Sequence, residues 1–595
     1  MAEKTVLIIG GGGAALAAAA ALVESNLNPK NPVKFKVHLI NKAPRWGGRA
    51  SSWPGGWRDS VQGLARDMTM WPDDCHLNHG FHAVFDEKTY TNFWPTFAMP
   101  HKAPGSDGYD ELRRRLSSNR HQFLLFEGEE GKEYLIRASI SAGVVDSFLT
   151  AWNLFWNGGW TLNEIWQFYQ VVIGKMKSYA NFNELQAVDG LASEEFSSWC
   201  INQGLPASVT KKQLFEFVSD GTYVSPYQID TASAIRGLWV FARDPDASEW
   251  FYINRGITQD LMNPLAGYLR QHGVTWSLPR GLGKLIPNGA RDRIDGYTSA
   301  AETPPTFVGT DPNLTAEQQF IRDSVEPPQQ VDYYICTVLL DPLWTILNAS
   351  GMVGEFPGID ALWRDGSKVP DPTVATVNLQ AWFQERVIPE DMDNVIAGLE
   401  PLCVLIDYKN VPGLVQDDPT WPGSVIEING AAEELRRHPD FAADFPIGPP
   451  QSAHNIALAK KIMLYLAKRY RWPSLEQAVQ NDEFLARPDW PGRTRWNGSD
   501  KIPPFLWIND QDENGFFVTA PDTLKNRPGM TTPFRNLFLA GDWTRNGFDV
   551  PSMESAARSG RMAAIEVVNE ENRERLGKGE PPLELVSLHD PITNP

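Results

Sequence analysis

The chain opens on apolar positions. Residues 5–9 (TVLII) form a β-branched run, the pattern of a strand buried on both faces. Gly10, Gly12 and Ala15 follow as G-x-G-x-x-A, and residues 14–23 are an Ala/Leu helix pattern directly after it. A polar, Pro-containing connection (25–36) leads to residues 37–40 (VHLI), a second parallel strand. Residues 51–77 are rich in Trp, Gly and Asp and read as loop. Over 142–179, Trp152, Phe155, Trp156, Ile165, Trp166, Tyr169 and Ile173 recur at helical spacing, and Gly158 and Gly159 divide the stretch into two helices. Amphipathic helices are expected over 192–203, 231–242 and 261–270. Residues 331–339 (VDYYICTVL) read as a buried strand, 374–383 and 403–408 as further strands, and 452–470 as a helix. Residues 288–330, rich in Pro, Gly, Thr and Asp, predict a long surface excursion. Near the end, 534–540 is a short apolar strand, Gly541 and Asp542 follow it, and 552–568 is a helix. The charged, Pro-rich residues 569–595 are expected to be disordered or draped over the surface, and no internal repeat is found.

Composition narrows the classes. With 595 residues the chain can bury a large core, and length alone suggests two to four domains. The 54 basic and 73 acidic residues give a net charge of −19, which argues against a nucleic-acid binder and against attraction to anionic lipid by overall charge. The 22 Trp and 29 Phe imply extensive aromatic surface, as core or as the wall of a pocket for a large apolar ligand. Cys75, Cys200, Cys336 and Cys403 are widely spaced, so neither a zinc ribbon nor a disulfide framework is indicated. The first strand begins within a few residues of Met1, and the expectation is therefore no signal peptide and a cytoplasmic location.

The candidate chemistry lies at the two ends. In the first turn one glycine makes the tight bend, the next admits a pyrophosphate, and the third small residue lets the helix pack close to the strand. Asn41 ends the second strand, where an acidic residue ordinarily meets a ribose hydroxyl; an amide can still hydrogen-bond there without the charge. Gly47 and Gly48 permit close backbone approach, and Arg49 is a cation suited to phosphate. At the other end, Asp542 can accept from a ribityl hydroxyl, and Ser552, Met553 and Glu554 at a helix start present backbone N–H groups to the pyrimidine edge of a flavin. His76, His79 and His82, spaced three apart beside Cys75, read as a candidate metal cluster. For His82 the alternatives are a polar group facing substrate and a buried hydrogen-bonded histidine. Trp543 either borders a substrate cavity or packs beneath the flavin. The stripe from Trp152 to Tyr169 reads as core, as the wall of a lipophilic channel, or as a membrane-touching surface.

Together G-x-G-x-x-A, the Gly47-Gly48-Arg49 triplet and LFLAGDWT…SMESAARSG resemble the FAD-dependent amine-oxidase/phytoene-desaturase superfamily. HGFHAVFDEKTYTNFW, WVFARDPDASEWFYINRGI, LMNPLAGYLRQHGV, VDYYICTVLLDPL and NRPGMTTPFRNLFLAGD make the chain most similar to carotene desaturases of the plant and cyanobacterial type. The resemblance implies an α/β fold: a Rossmann-type FAD-binding domain from discontinuous segments (1–94, 255–345 and 515–570), an α+β substrate-binding domain (95–254 and 346–514), and a tail (571–595). It implies FAD held by Gly10, Gly12, Ala15, Asn41, Gly48, Arg49, Leu282, Gly541, Asp542, Ser552 and Met553, with Leu282 offering backbone to the adenine. The resemblance also implies that His79 and His82 belong to a segment near the flavin. His82 and Trp543 are the candidate catalytic residues, and no metal is expected. Asn41 departs from the usual Glu, and residues 58–77 and 288–330 are insertions relative to the common pattern.

The activity implied is hydride transfer from carbon of a hydrophobic polyene- or terpenoid-like substrate to flavin N5, in desaturation or isomerisation. That chemistry asks little of ionisable side chains, in keeping with the aromatic-rich composition. The alternative is a flavin amine oxidase acting on a primary or secondary amine; relatives with that activity carry a lysine after the strand equivalent to 331–339, and none stands there in this chain. A non-enzymatic flavoprotein is the third reading. The expected partners are a hydrophobic small molecule, an electron acceptor (oxygen or a quinone) and a membrane surface in peripheral contact, with no nucleic acid.

Overall fold

The computed structural model describes residues 2–59, 66–68, 70–71, 75–78, 83–119, 121–127, 133–139, 161–168, 170–171, 191–205, 228–242, 250–253, 256–304, 306–307, 316–364, 373–389, 395–397, 399, 401–402, 404–408, 423–445, 448–449, 452–486, 500–509, 516–517, 519–548 and 550–588. Five parallel strands form a central sheet: β1 (Ala2–Ile9), β2 (Val33–Ile40), β3 (Thr275–Ser277), β4 (Tyr333–Cys336) and β5 (Leu537–Leu539). Their order is β3-β2-β1-β4-β5, the doubly wound arrangement in which ligands bind beyond the carboxyl ends of the strands at the reversal of strand order. That reversal falls between β1 and β4, so the turn after β1 sits at the ligand edge. The strand farthest along the sequence, β5, pairs with β4 with Cys336 opposite Leu539.

Alternation along β1 divides the core into two layers. Val6 and Ile8 face one side, with helix α1 (Gly13–Leu27) and helix α2 (Met553–Gly577) over them. Leu7 and Ile9 face the other, against Leu340, Leu343, Ile346 and Leu347 of helix Leu340–Ala349 and Ile359 of helix Pro357–Arg364. This layer continues past residue 345. The alanines of α1 are buried from Ala14 to Ala21, between sheet and α2. A Cβ added at Gly560 of α2 would stand 2.2 Å from the Ala14 carbonyl oxygen and 3.0 Å from Ala17 Cβ, so the two helices meet nearly backbone to backbone. Small residues on α1 thus serve α2 as well as the sheet.

A second sheet of seven strands runs in the order Glu133–Ser139, His121–Glu127, Val395–Ala397, Val404–Asp407, Ser424–Ala431, Thr376–Phe383, Phe505–Asn509. All pairs are antiparallel except His121–Glu127 with Val395–Ala397. One face packs on helices Ala453–Arg469 and Pro473–Gln480; the other turns Trp382, Val404, Ile406, Val425, Phe505 and Trp507 toward the first core.

Several elements differ from expectation. The connection between α1 and β2 is short, because α1 runs to Leu27 and β2 begins at Val33, where Val33, Phe35 and Val37 alternate inward between two lysines. Residues 288–330 are not a plain excursion: Arg280–Pro287 pairs with Ile294–Ala301 as a hairpin, and Ala316–Arg322 is a helix whose Phe320 packs against Trp276. Three short strands lie within 51–77, at Ser52–Pro54, Trp57–Asp59 and Arg66–Asp67, and His76–Asn78 pairs with the first of them. Of the aromatic stripe over 142–179, helix Leu162–Phe168 is described, and its Trp166 is 62% exposed rather than core; Trp152, Phe155, Trp156, Tyr169 and Ile173 lie outside the described residues. The tail expected from residue 569 begins later, because α2 continues to Gly577; residues 578–588 are draped, with Glu584 accepting from Asn28 Nδ2 and Lys30 Nζ near the end of α1. No helix among the described residues is long and apolar enough to cross a membrane.

Candidate functional site

The first turn folds as a cradle because each of its small residues meets a different constraint. Gly10 has φ +120°, donates its N–H to the Ile40 carbonyl at 2.8 Å, and would set a Cβ 2.3 Å from Thr337 Oγ1 just beyond β4. Gly12 is the N-cap of α1 and makes no side-chain cap; a Cβ there would rest in van der Waals contact with the Gly47 carbonyl oxygen at 3.8 Å and Gly48 Cα at 4.0 Å. Opposite it, the Gly47 N–H bonds the Gly11 carbonyl at 2.8 Å, which brings the turn at 47–49 alongside the first turn. The N-terminus of α1, with no acidic residue in its first turn, lies beside these two paired glycine turns, and its first N–H groups suit a diphosphate. Ala15 is fully buried within α1.

Asn41 organises the neighbouring loop. Its Nδ2 donates to the Ala43 and Arg45 carbonyls, each at 2.9 Å, and its backbone N–H and C=O bond Ser277 and Arg280. Leu282 lies partly buried in the first strand of the 280–301 hairpin, at a register shift opposite Ser299. Behind the cradle, His38 of β2 bridges Thr275 and Ser277 of β3; burial above all, with the Arg280 charge, lowers its pKa to about 4 and keeps it neutral.

At the ligand edge the two ends of the chain meet in an ion pair between Arg49 and Asp542. Arg49 bonds the Asp542 carboxylate, and both side chains are largely buried. Asp542 is held in place from below. Arg527, 1% exposed, donates Nε to the Trp543 carbonyl at 2.9 Å and Nη2 to those of Asp542 and Thr544 at 3.2 and 2.7 Å, clamping three consecutive peptide units. Ser559 Oγ of α2 accepts the Gly541 N–H at 3.0 Å, and Arg558 Nε donates to the Asn546 carbonyl at 2.7 Å. Trp543 is 1% exposed within the layer of Leu7, Ile9 and Tyr334, and its indole N–H donates to the Val338 carbonyl at 3.0 Å. It forms the wall behind Gly541.

At the start of α2, Ser552 Oγ accepts from the Ser555 N–H at 3.1 Å, and Met553 packs over Gly13 of α1. The two helix N-termini therefore lie side by side. Glu554 has a task the sequence did not disclose. Its fully buried carboxylate accepts the backbone N–H of Asn92 at 2.9 Å, that of Phe93 at 2.7 Å and Asn92 Nδ2 at 2.8 Å, capping helix Phe93–Phe97. Burial pushes its pKa up to about 7, with those hydrogen bonds opposing the rise.

The sequence also missed Arg527 and Thr337; Arg527 is one of three cations before β5, with Lys525 and Arg535, and nothing in the sequence singled it out. His79 and His82 lie outside the described residues, and among the described residues no group of His, Cys, Asp and Glu could hold a metal ion.

Comparison with known proteins follows the same division. Residues 8–98 match the model of an NAD(P)-binding Rossmann-like domain, and residues 452–568 that of a flavin containing amine oxidoreductase. A carotenoid phi-ring synthase of Chlorobaculum tepidum is 48% identical over 52 residues, 9% of this chain and 8% of that protein. A hydroxysqualene dehydroxylase of Sinorhizobium fredii is 38% identical over 74 residues, 12% of this chain and 17% of that one. The matched stretches thus span under a fifth of these curated relatives. Among solved structures, wild-type putrescine oxidase bound to putrescine superposes with a TM-score of 0.54 at 15% identity, covering 95% of this chain and 99% of that one. An oxidoreductase from Methanosarcina mazei gives 0.53 at 11% identity, over 95% and 100%. At such identities the superpositions speak for the fold.

Proposed function

We propose that the chain, whose two ends match a Rossmann-like domain and a flavin containing amine oxidoreductase, is an FAD-dependent oxidoreductase of the amine-oxidase/phytoene-desaturase superfamily, removing hydride from a carbon of a hydrophobic, polyene- or terpenoid-like substrate. The observation that carries the reading is the Arg49–Asp542 ion pair, which joins the phosphate cradle of one end to the flavin-type turn of the other.

The start of α1, whose first turn carries no acidic residue, suits a diphosphate, and the residues around it fit FAD in the following way. Gly10, Gly12 and Ala15, with the first N–H groups of α1, would take the pyrophosphate. Gly48 and Arg49 would lie along it. Asn41, its amide N–H groups already committed, would offer its amide oxygen to a ribose hydroxyl. Leu282 would offer backbone to the adenine. Gly541 and Asp542 would meet the ribityl chain, and Ser552 and Met553 the flavin. Bound FAD would supply a two-electron acceptor. The chain's own part is orientation and dryness: the N-terminal end of α2 presents a positive dipole end, and Trp382, Val404, Ile406, Phe505 and Trp507 exclude water from the substrate side. His82 is proposed beside the substrate, and Trp543 as the support of the flavin-side turn.

The proposed division places the cofactor part at 1–94, 255–345 and 515–570 and the substrate part at 95–254 and 346–514. The names of the matched relatives, carotenoid and hydroxysqualene enzymes, favour an apolar substrate. So does helix Leu340–Ala349 after β4, which contains no lysine. The acceptor would be oxygen or a quinone, with the substrate reached from a membrane surface. The test is anaerobic mixing of purified enzyme with a polyene and terpenoid panel and with an amine panel. Bleaching of the flavin absorbance by the first panel alone is expected; bleaching by amines alone overturns the reading.

A further inference from the structure

The face of the seven-stranded sheet that looks toward the cofactor part is not uniformly apolar. At its centre Asn378 stands opposite Asn429 and Gln380 opposite Glu427, on adjacent strands and the same face. Val404 and Ile406 flank them on one side and Phe505 and Trp507 on the other. All four polar side chains are at most 4% exposed. Strand His76–Asn78 approaches them: the Asn78 N–H donates to Gln380 Oε1 at 3.2 Å. Asn78 is in turn paired with Ser52, whose N–H bonds Thr258 Oγ1, and that hydroxyl donates to the Trp46 carbonyl in the turn bearing Arg49. The polar cluster is therefore connected to the turn that would carry the cofactor.

Hydrogen-bond bookkeeping shows what the cluster can still do. Glu427 Oε1 accepts from Asn378 Nδ2 at 3.1 Å and Asn429 Nδ2 at 3.0 Å; Oε2 accepts from Tyr408 Oη at 2.8 Å and, in a longer contact, Asn78 Nδ2 at 3.5 Å. Two donors on each oxygen fill a carboxylate's capacity. Asn378 Nδ2 also donates to Asn429 Oδ1 at 2.7 Å. Two atoms remain: Asn78 Oδ1 and Asn378 Oδ1 are buried and have no hydrogen-bond partner among the described residues. Both are acceptors, and a buried acceptor without a donor is unfavourable. The group they suit is a donor. A buried ammonium would need direct pairing with a carboxylate, and the Glu427 oxygens are already occupied by four neutral donors, so a neutral donor suits the two amide oxygens better.

We propose that Asn78 and Asn378 form an alcohol-recognition site: a hydroxyl carried by an otherwise apolar substrate shares its one proton between their two amide oxygens in a three-centre hydrogen bond, while Glu427 fixes the orientation of both amides. The proposal rests on the lipophilic-substrate reading above and narrows it to molecules bearing one hydroxyl. A site built to bond a hydroxyl rejects the analogue lacking it far more strongly than a greasy pocket rejects a missing methylene. Glu427 is a positioning residue here, and the amides are the binding residues.

The test measures binding by quenching of tryptophan fluorescence, with isoprenoid alcohols of graded length, the hydrocarbons lacking the oxygen, and the corresponding primary amines. The wild-type enzyme is expected to bind at least one alcohol roughly tenfold or more tightly than both its hydrocarbon and its amine. Asn378→Leu should cut that preference to within about threefold while leaving hydrocarbon affinity within about twofold. Because Asn378→Leu also removes two bonds inside the cluster, Asn78→Leu, which gives up a single long one, is measured beside it. Asn78→Leu should lower the preference in the same direction. FAD content is measured on every sample. Protein without flavin that still prefers alcohols contradicts the flavin reading and supports the site; flavin-loaded protein without the preference overturns the site alone. Equal affinity for alcohol and hydrocarbon, preference for amines, binding of none of the three, or an alcohol preference that survives both substitutions each overturn the proposal.

Discussion

Replacing Glu554 by Gln probes how the start of α2 is secured. The carboxylate is fully buried and accepts two backbone N–H groups and the Asn92 amide from a segment 462 residues away in sequence. Burial raises its pKa from 4.5 to about 7. A carboxyl whose folded pKa is raised binds its proton more tightly in the folded state. Stability from this group is therefore fully present below its unfolded pKa and is lost as pH rises through the folded value. A rise of that size corresponds to roughly 3 kcal/mol, lost progressively between about pH 4.5 and pH 8. Gln does not titrate. Its oxygen can take the two backbone donors, and its amide can face an inverted Asn92 side chain. Denaturant unfolding of wild type and Glu554→Gln across this range should give curves that agree within about 1 kcal/mol at pH 5, with wild type falling below the variant by roughly 2–3 kcal/mol at pH 8. Parallel curves, with an unchanged gap at every pH, would refute the assignment of the titrating group. A variant that is already several kcal/mol weaker at pH 5 would refute the inversion of Asn92.

Three further outcomes follow from the same geometry. Gly12→Val should yield folded but colourless protein, because a branched side chain at the N-cap of α1 crowds the helix N-terminus where the diphosphate would lie; absorbance of the purified variant is the check. Arg49→Met leaves a largely buried Asp542 without its cation, and should destabilise by about 3 kcal/mol and lower FAD content, while Arg49→Met with Asp542→Asn recovers at least half of the stability in thermal unfolding. Gly560→Val forces α2 away from the Ala14 carbonyl and should cost about 3 kcal/mol or more with early loss of flavin on heating; retention of wild-type stability would mean that the helices do not meet there.

What was legible in the sequence was local. β1, its turn and α1 form one contiguous strand–turn–helix whose small residues are needed where they stand, and β5, its turn and α2 repeat the pattern at the other end. Roles set by distant partners were hidden. Glu554 looked like one residue of a helix start, whereas its carboxylate serves residues 92 and 93. The 280–301 hairpin was obscured because Ile294–Ala301 has a single fully buried position, too little alternation to stand out from a Pro- and Gly-rich background. Strand Ser424–Ala431 escaped notice for the opposite reason. Its residues are buried on both faces, so Glu427 and Asn429 break the apolar run that marks a covered strand, and only the partners on Thr376–Phe383 explain them. Trp166 shows that helical spacing of aromatics does not say which side is covered.

The central claim is that two distant stretches, joined by Arg49 and Asp542, build one FAD site. Its most direct test is the cofactor content of the purified chain, read by absorbance and by chromatography of the ligand released on denaturation. About one FAD per chain is predicted, either carried through purification or taken up from added FAD. A folded chain that carries no flavin and takes up none, or that releases a nicotinamide dinucleotide in its place, would contradict the account.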